Sequence, residues 1–267
     1  MKTVKIQGGL GNQLFGLAFA RSVAIVAQQP VGLDLSSYGH EPYGRRFELA
    51  DFALSLGALV PAHRALTGSR ATRAAARLLP LPGFFRERRR APSEAALRVL
   101  ITRNVFFSGY WQDEAYILEA ERLRGLIRRL FETEGPRAPA GLVAIHYRTY
   151  KEERRRRARR TPPARFFADA LERIEAEIGQ VREVVLVSDD VALARRRLGD
   201  LGRPIVEVVQ EGAWADLALM ARARALILTN SSFSWWGGFC SDARLVIYPR
   251  SDGYVHYPRP SARFVVL

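Results

Sequence analysis

Two rhythms of apolar and polar positions follow one another along the chain and predict alternating strands and helices. The run Thr3 to Ile6 is short and apolar enough for a strand, and Gln7-Gly8-Gly9-Leu10-Gly11-Asn12-Gln13 interrupts it. From Leu14 to Gln28, apolar residues at Leu14, Leu17, Phe19, Val23 and Val26 fall near helical spacing; Pro30 stops the helix and Val31 to Leu35 resumes as a strand. Strand, glycine loop, helix and strand in that order predict a parallel sheet. Between 61 and 92 the periodicity fades into Ala, Arg and Pro, which predicts short surface helices and loops. Ala115 to Phe131 is helical again. Glu132 to Gly141, with Gly135, Pro136, Pro139 and Gly141, then breaks regular structure and predicts a linker.

After the break the alternation restarts. Strands are predicted at Leu142–Tyr147, Glu183–Val187, Ile205–Val209, Ala225–Thr229 and Leu245–Tyr248. The helices between them are predicted at about Pro163–Ile178, Val191–Leu198 and Ala213–Arg224, with a short one after Ser231. Four or five strands separated by helices make a second doubly wound sheet. The pattern therefore predicts an α/β chain of two facing Rossmann-like domains, residues 1–135 and 141–267, without a visible internal repeat.

Composition narrows the partners. At 267 residues and 48% hydrophobic, the chain can bury one large α/β core or two modest ones. The single cysteine, Cys240, excludes an intramolecular disulfide framework and a multi-cysteine zinc site, and points to a reducing compartment. The start lacks the order of a signal peptide, and no apolar run approaches the roughly 18 residues of a spanning helix, so the cytoplasm is expected. The net charge of +14 invites nucleic acid or anionic membrane. Yet all the basic residues except Lys2, Lys5 and Lys151 are arginines, amid many alanines, as a GC-rich genome would give. No nucleic-acid motif accompanies them, so no nucleic-acid partner is expected. Peripheral contact with anionic lipid, through Arg86 to Arg90 and the run Lys151 to Arg160, is the most that the charge implies.

Four places carry candidate chemistry. Gly8, Gly9 and Gly11 allow close backbone approach before a helix, while Asn12 and Gln13 offer carboxamides suited to a hydroxyl-rich ligand. The spacing does not fit G-x-G-x-x-G, which argues against a dinucleotide. His146 and Arg148 leave a parallel strand at its carboxyl edge, where open α/β sheets bind ligands and an arginine can fork onto phosphate. Ser188-Asp189-Asp190 leaves another such edge; Ser188 or Asp189 is expected to cap the next helix, and a nucleoside contact stays open for Asp189. No D-x-D triplet or nearby His completes a metal site there. Finally, Asp216-Leu217-Ala218-Leu219-Met220 precedes a strand and Asn230-Ser231-Ser232-Phe233-Ser234-Trp235-Trp236-Gly237-Gly238. Serines at a helix N-terminus suit a leaving diphosphate, and the paired tryptophans are expected to pack against the sheet.

Taken in order, five segments resemble the bacterial α-1,2-fucosyltransferases of glycosyltransferase family 11. They are Gly8-Gly9-Leu10-Gly11-Asn12-Gln13-Leu14-Phe15, Gly109-Tyr110-Trp111-Gln112, Ser188-Asp189-Asp190, Asp216 to Met220, and Asn230 to Gly237. The resemblance implies a GT-B-like fold with an N-terminal acceptor-side domain and a C-terminal GDP-sugar-binding domain. It implies GDP-β-L-fucose as donor, inversion at the anomeric carbon, no divalent metal, no cofactor, and a galactoside-terminated glycan as acceptor. By similarity Arg148 neutralises the β-phosphate, and Ser231, Ser232 and Phe233 line the pyrophosphate. His146 and Asp216 hold ribose or guanine, Gly9 and Gly11 approach the donor, and Asn12 touches the donor sugar or the acceptor.

One segment departs from the family pattern. Where the family reads His-x-Arg-Arg-Gly-Asp-Tyr, this chain has His146-Tyr147-Arg148-Thr149-Tyr150-Lys151-Glu152. A carboxylate that accepts the attacking hydroxyl's proton contributes roughly 10²- to 10⁴-fold. Glu152 or Glu153, shifted by one or two residues, is the expected base; assistance by the departing phosphate is the alternative. The altered segment also leaves open another nucleotide sugar or acceptor, or a non-catalytic GDP-sugar-binding role.

Overall fold

The computed structural model describes residues 1–40, 44–57, 59–62, 83–87, 91–133, 141–149, 161–207, 212–250 and 263–267. Two compact units emerge, Met1–Ala120 and Glu121–Leu267. Each holds one sheet in which every described strand pairing is parallel, so the expected pair of Rossmann-like α/β halves holds.

Unit 1 contains β1 (Lys2–Lys5), β2 (Val31–Asp34), β3 (Leu59–Ala62), β4 (Phe84–Arg86) and β5 (Phe106–Ser108), in the order β3-β2-β1-β5-β4. Its helices are α1 (Leu10–Ala27), α2 (Ala50–Ser55) and α3 (Glu94–Arg103). β1 sits between Val31 of β2 and Phe106 of β5, with Lys2 opposite the former and Thr3 opposite the latter. α1 is apolar on nearly every face because the core surrounds it. Gly16 lets it close on β1, since a Cβ there would lie 2.8 Å from Ile6 Cδ1. Lys2, almost wholly buried, reaches the C-terminal end of α3, where its Nζ donates to the carbonyls of Ile101 (2.7 Å), Thr102 (3.2 Å) and Asn104 (2.5 Å). A cation at a helix C-terminus meets the exposed carbonyls and the negative end of the dipole.

The predicted helices and loops between 61 and 92 give way, where described, to strands β3 and β4. Both are too short to display a period, and β4 is fixed by pairing and by Phe84 stacking on Phe106 at 5.1 Å. Contrary to the expectation that no apolar run approaches a membrane span, α1 reaches 18 residues at a mean hydropathy of 1.3. Its apolar stretch is 78% buried inside the protein, as a core helix would be.

Unit 2 contains α4 (Ala120–Thr133, entering from the boundary), β6 (Val143–Tyr147), α5 (Ala164–Ile178), β7 (Val184–Ser188), α6 (Val191–Leu198) and β8 (Ile205–Glu207). It continues through α7 (Ala213–Ala221), β9 (Ala225–Leu228), α8 (Ser232–Cys240), β10 (Leu245–Tyr248) and β11 (Phe264–Val266). The order β11-β10-β9-β6-β7-β8 is the doubly wound 3-2-1-4-5-6 arrangement, and it reverses between β6 and β9. Every residue of β6, β7, β9 and β10 is buried, which explains their unbroken apolar runs. Ile145, Phe167, Leu171, Ile174, Leu186, Ile227 and Ile247 form the core beside them.

The contacts divide at Ala120, earlier than the predicted linker, most of which (134–140) lies outside the described residues. α4 goes with unit 2 because Leu123, Ile127 and Phe131 are buried and Arg124 donates to the carbonyls of Phe239 (2.9 Å) and Ser241 (2.7 Å). Proline and glycine mark where regular backbone stops, not where packing partners change.

Candidate functional site

The strand order reverses between β6 and β9, and sheets of this kind form their ligand crevice at such a reversal, outside the carboxyl ends of the strands. His146, the fourth residue of β6, lies opposite Leu228 of β9. The loop ends are stitched by Thr229: its N–H (3.2 Å) and hydroxyl (3.1 Å) donate to the His146 carbonyl, and the hydroxyl accepts the Arg148 N–H at 3.0 Å. Arg148 is thereby fixed at the mouth of the crevice.

Its guanidinium meets Asp189. Nη1 lies 3.1 Å from Asp189 Oδ2, an ion pair without hydrogen-bond alignment, and both side chains keep some exposure at 23% and 14%. Asp189 Oδ1 accepts the Thr149 N–H at 2.7 Å. Asp189 therefore acts on Arg148 and on the loop that carries it. The expectation that Ser188 or Asp189 caps the next helix is corrected by one position: Asp190 is the cap of α6, accepting the Leu193 N–H at 2.9 Å. Ser188 instead donates to the Tyr147 carbonyl at 2.7 Å, tying β7 to β6.

The opposite wall is the N-terminus of α8. Ser231 caps it, accepting the Phe233 N–H at 3.2 Å, while Ser232 and Phe233 remain partly exposed. Ser234 points inward, where its hydroxyl shares a 2.5 Å hydrogen bond with His146 Nδ1; the Phe233 ring lies 5.2 Å from the imidazole. Burial pushes the His146 imidazolium down to about 3, against the opposing pull of Asp189 and with some help from Arg148. At neutral pH His146 is an uncharged hydrogen-bonding group and a very weak base. Trp235 and Trp236 are buried and meet edge to face at 4.9 Å, with Trp235 stacked on Phe239 at 4.8 Å. The two glycines after them permit contact, since a Cβ at Gly237 would lie 2.8 Å from Met220 Sδ of α7, and one at Gly238 would collide with the Tyr248 hydroxyl.

Asp216 stands in the first turn of α7, where desolvation pushes its carboxyl up to about 6. A carboxylate held partly out of water is a candidate acceptor for ligand hydroxyl or amide donors.

In unit 1 the strand order reverses between β1 and β5. Gly8 takes a positive φ of 82°, and Gly9 caps α1 with extended backbone. Gln13 is structural: fully buried, it donates to the carbonyls of Gly8 (3.1 Å) and Arg46 (2.7 Å) and accepts the Glu48 N–H (2.9 Å). Gly11 is buried within the first turn, Arg45 flanks Gly9, and Asn12 Oδ1 accepts from Gln112 Nε2 at 2.6 Å.

His146, Arg148, Asp189, Ser231, Ser232 and Phe233 thus belong to one crevice of unit 2, and Gly9, Gly11 and Asn12 to one edge of unit 1. Glu152 and Glu153 lie outside the described residues, as does the arginine run around them. Sequence reasoning missed Thr229 as the stitch, Ser234 as the histidine's partner, and Gln112 as Asn12's. Gln112 and Ser234 had a local signal, their places in Gly109-Tyr110-Trp111-Gln112 and in Asn230 to Gly237. Among the described residues no group of three or more His, Cys, Asp and Glu converges to hold a metal.

The model of glycosyl transferase family 11 matches residues 80–248, more than half of the chain. No curated protein matches. Similar solved structures include NodZ α-1,6-fucosyltransferase soaked with GDP-fucose, at 16% identity over 91% of this chain and 92% of that one, TM-score 0.49. Others are a mutant of Arabidopsis thaliana FUT1 in complex with GDP (13% identity, 94% and 71% covered, TM-score 0.45) and POFUT1 in complex with GDP (11%, 99% and 97%, TM-score 0.43).

Proposed function

This chain belongs to glycosyl transferase family 11, and from there we propose that it transfers L-fucose from GDP-β-L-fucose, with inversion, to the 2-hydroxyl of a β-galactoside. The acceptor would be an oligosaccharide or surface-polysaccharide precursor. The observation that carries this reading is the crevice of unit 2, where an arginine and a helix N-terminus stand on opposite sides of a sheet reversal.

In the transfer, the acceptor oxygen bonds to the anomeric carbon as that carbon's bond to the β-phosphate breaks, and GDP departs with the electron pair. Arg148, with the amides of α8 and the Ser232 hydroxyl, meets the charge that develops on the diphosphate, so the reading needs no divalent metal. Asp189 holds the guanidinium in place. Neutral His146, fixed by Ser234, and Asp216 take the nucleoside. The acceptor's proton goes to Glu152 or Glu153. Full turnover in both Glu152→Gln and Glu153→Gln would remove that assignment and leave the departing phosphate as the base; a loss of about 10²-fold in one of them is expected.

The test is incubation with GDP-fucose and a β-galactoside in EDTA, followed by mass and linkage analysis of the product. One added deoxyhexose, linked to the galactose 2-hydroxyl, is expected. The missing arginine, glycine and acid after Arg148 favour one second reading, a different nucleotide sugar or acceptor. Preference for a UDP-sugar in a donor panel would replace the first reading with it. We place its work at the inner face of a membrane, where lipid-carried acceptors lie and a net charge of +14 favours anionic lipid; cosedimentation with anionic liposomes at low salt tests it.

A further inference from the structure

The residue that follows Arg148 is held at both of its backbone groups from one short helix and its approach. Thr149 lies just past β6 and is 1% exposed. Its N–H donates at 2.7 Å to Asp189 Oδ1, shortly before α6, and its carbonyl accepts at 3.1 Å from Arg197 Nη1, in the last turn of the same helix. The Arg197 guanidinium also hydrogen-bonds the side chain of Tyr147, the last residue of β6. Burial pushes the Tyr147 phenol above its ordinary range, against that hydrogen bond and the pull of the cation. Tyr147 in turn stacks on Phe167 of α5, with ring centroids 5.3 Å apart, inside the core of unit 2. Arg197 thus ties the residues on either side of Arg148 to fixed elements.

The last turn of α6 carries three arginines, and they take different directions. A cation in that position ordinarily meets the last carbonyls of its own helix. Arg195 reaches instead to the Ile205 carbonyl of β8 at 3.0 Å, Arg196 is exposed, and Arg197 leaves for the turn after β6. Other groups of that turn are engaged elsewhere: the Arg148 N–H on Thr229 and the Tyr147 carbonyl on Ser188. Deleting the donor of a carbonyl on so enclosed a residue costs more than the bond itself contributed, so without Arg197 the turn rearranges.

We propose that Arg197 is a positioning residue for the donor diphosphate, fixing the Arg148–Thr149 turn so that the Arg148 guanidinium is set at the crevice before the nucleotide arrives. The proposal rests on the reading of that crevice as the donor site. Arg197 acts through Arg148 and not on the ligand. Its planar fork serves the Thr149 carbonyl and the Tyr147 hydroxyl together, a geometry that an ammonium does not reproduce. A turn ordered in advance lowers the cost of ordering it on binding.

The experiment measures GDP affinity by calorimetry in the wild-type protein, Arg197→Ala, Arg197→Lys and Arg196→Ala, and in Arg197→Ala combined with Arg148→Ala. Melting temperatures verify folding, and hydrogen exchange without ligand reads the backbone from 146 to 149. Arg197→Ala is expected to weaken GDP about fivefold, less than the full worth of a charged hydrogen bond because the turn keeps its other ties, and to speed exchange at 148 and 149. Arg197→Lys recovers part of the affinity. Arg196→Ala removes an equal charge one residue away and leaves affinity and exchange unaltered. In the Arg148→Ala background the loss of Arg197 has no further effect on GDP, since a residue acting through another is silent once that other is gone. A fivefold loss that persists in that background, or one matched by Arg196→Ala, overturns the positioning role. GDP binding untouched in a folded Arg197→Ala overturns it alone, whereas wild-type protein that binds no GDP overturns the donor reading and this role with it.

Discussion

Both units reverse their strand order beside a loop that opens a helix, yet the two crevices are chemically unlike. In unit 2 the reversal brings together Arg148, Asp189, a buried neutral histidine and the serine-capped end of α8. In unit 1 the described residues beside it include the Asn12 and Gln112 carboxamides, the Glu87 carboxylate and an exposed tyrosine, with Arg45 next to Gly9. The sheet supplies the place, and the loop residues decide which ligand is stable there. Net charge hides this difference, because the excess arginines are spread along the chain while the distinction depends on a few fixed groups.

The largest expected effect tests whether phosphate recognition is confined to unit 2. Arg148→Ala removes the cation and leaves Asp189 without its ion-pair partner, so turnover with GDP-fucose should fall about 10²- to 10³-fold. Arg148→Lys should recover only part of this, since an ammonium cannot reproduce the planar fork. GDP affinity measured by calorimetry should weaken with ionic strength in the wild-type protein and lose most of that dependence in Arg148→Ala. Acceptor affinity should stay flat with salt in both. A salt dependence shared equally by the two ligands would erase the distinction between the crevices.

A smaller effect concerns the helix end opposite Arg148. Ser231→Ala removes the cap of α8 and should cost about 1 kcal/mol, lowering the melting temperature by roughly 2–4 °C in a chain of this size. GDP affinity should fall only a few-fold, because the α8 amides remain. Asp190→Ala provides the comparison: it removes the cap of α6, costs a similar amount of stability, and should leave GDP affinity unaltered.

How much of this was legible in the chain depended on period and length. The long runs, such as β6, β7, β9 and β10 with their intervening helices, announced themselves because buried parallel strands carry unbroken apolar residues. β4, α2 and β11 escaped because three to six residues cannot display a period, and pairing or packing across the sheet decides them. The site showed the same division. His146, Arg148 and the serine loop were visible as residue types at strand ends. The pairing of Arg148 with Asp189, of His146 with Ser234 and of Glu87 with Tyr110 was not, since each joins positions 23 to 88 residues apart.

The smallest expected effect separates function from stability at a single carboxyl. Burial raises Asp216 to about 6 from its ordinary 3.8. Between those values the native protein retains a proton that the unfolded chain has released. The stability associated with the neutral carboxyl is therefore fully present below about 3.8 and lost as pH rises through about 6. Above that, the native protein carries a charge partly out of water. Asp216→Asn, neutral at every pH, should raise the melting temperature by roughly 2 °C at pH 7.5 and leave it unchanged at pH 3.5. If the carboxylate accepts hydrogen bonds from the nucleoside, the same variant should bind GDP several-fold more weakly at pH 7.5. The two effects then have opposite signs, as expected where a residue is retained for binding against its own contribution to folding. Equal stabilisation at both pH values would remove desolvation as the cause, and undiminished GDP affinity would remove Asp216 from the proposed nucleoside contacts.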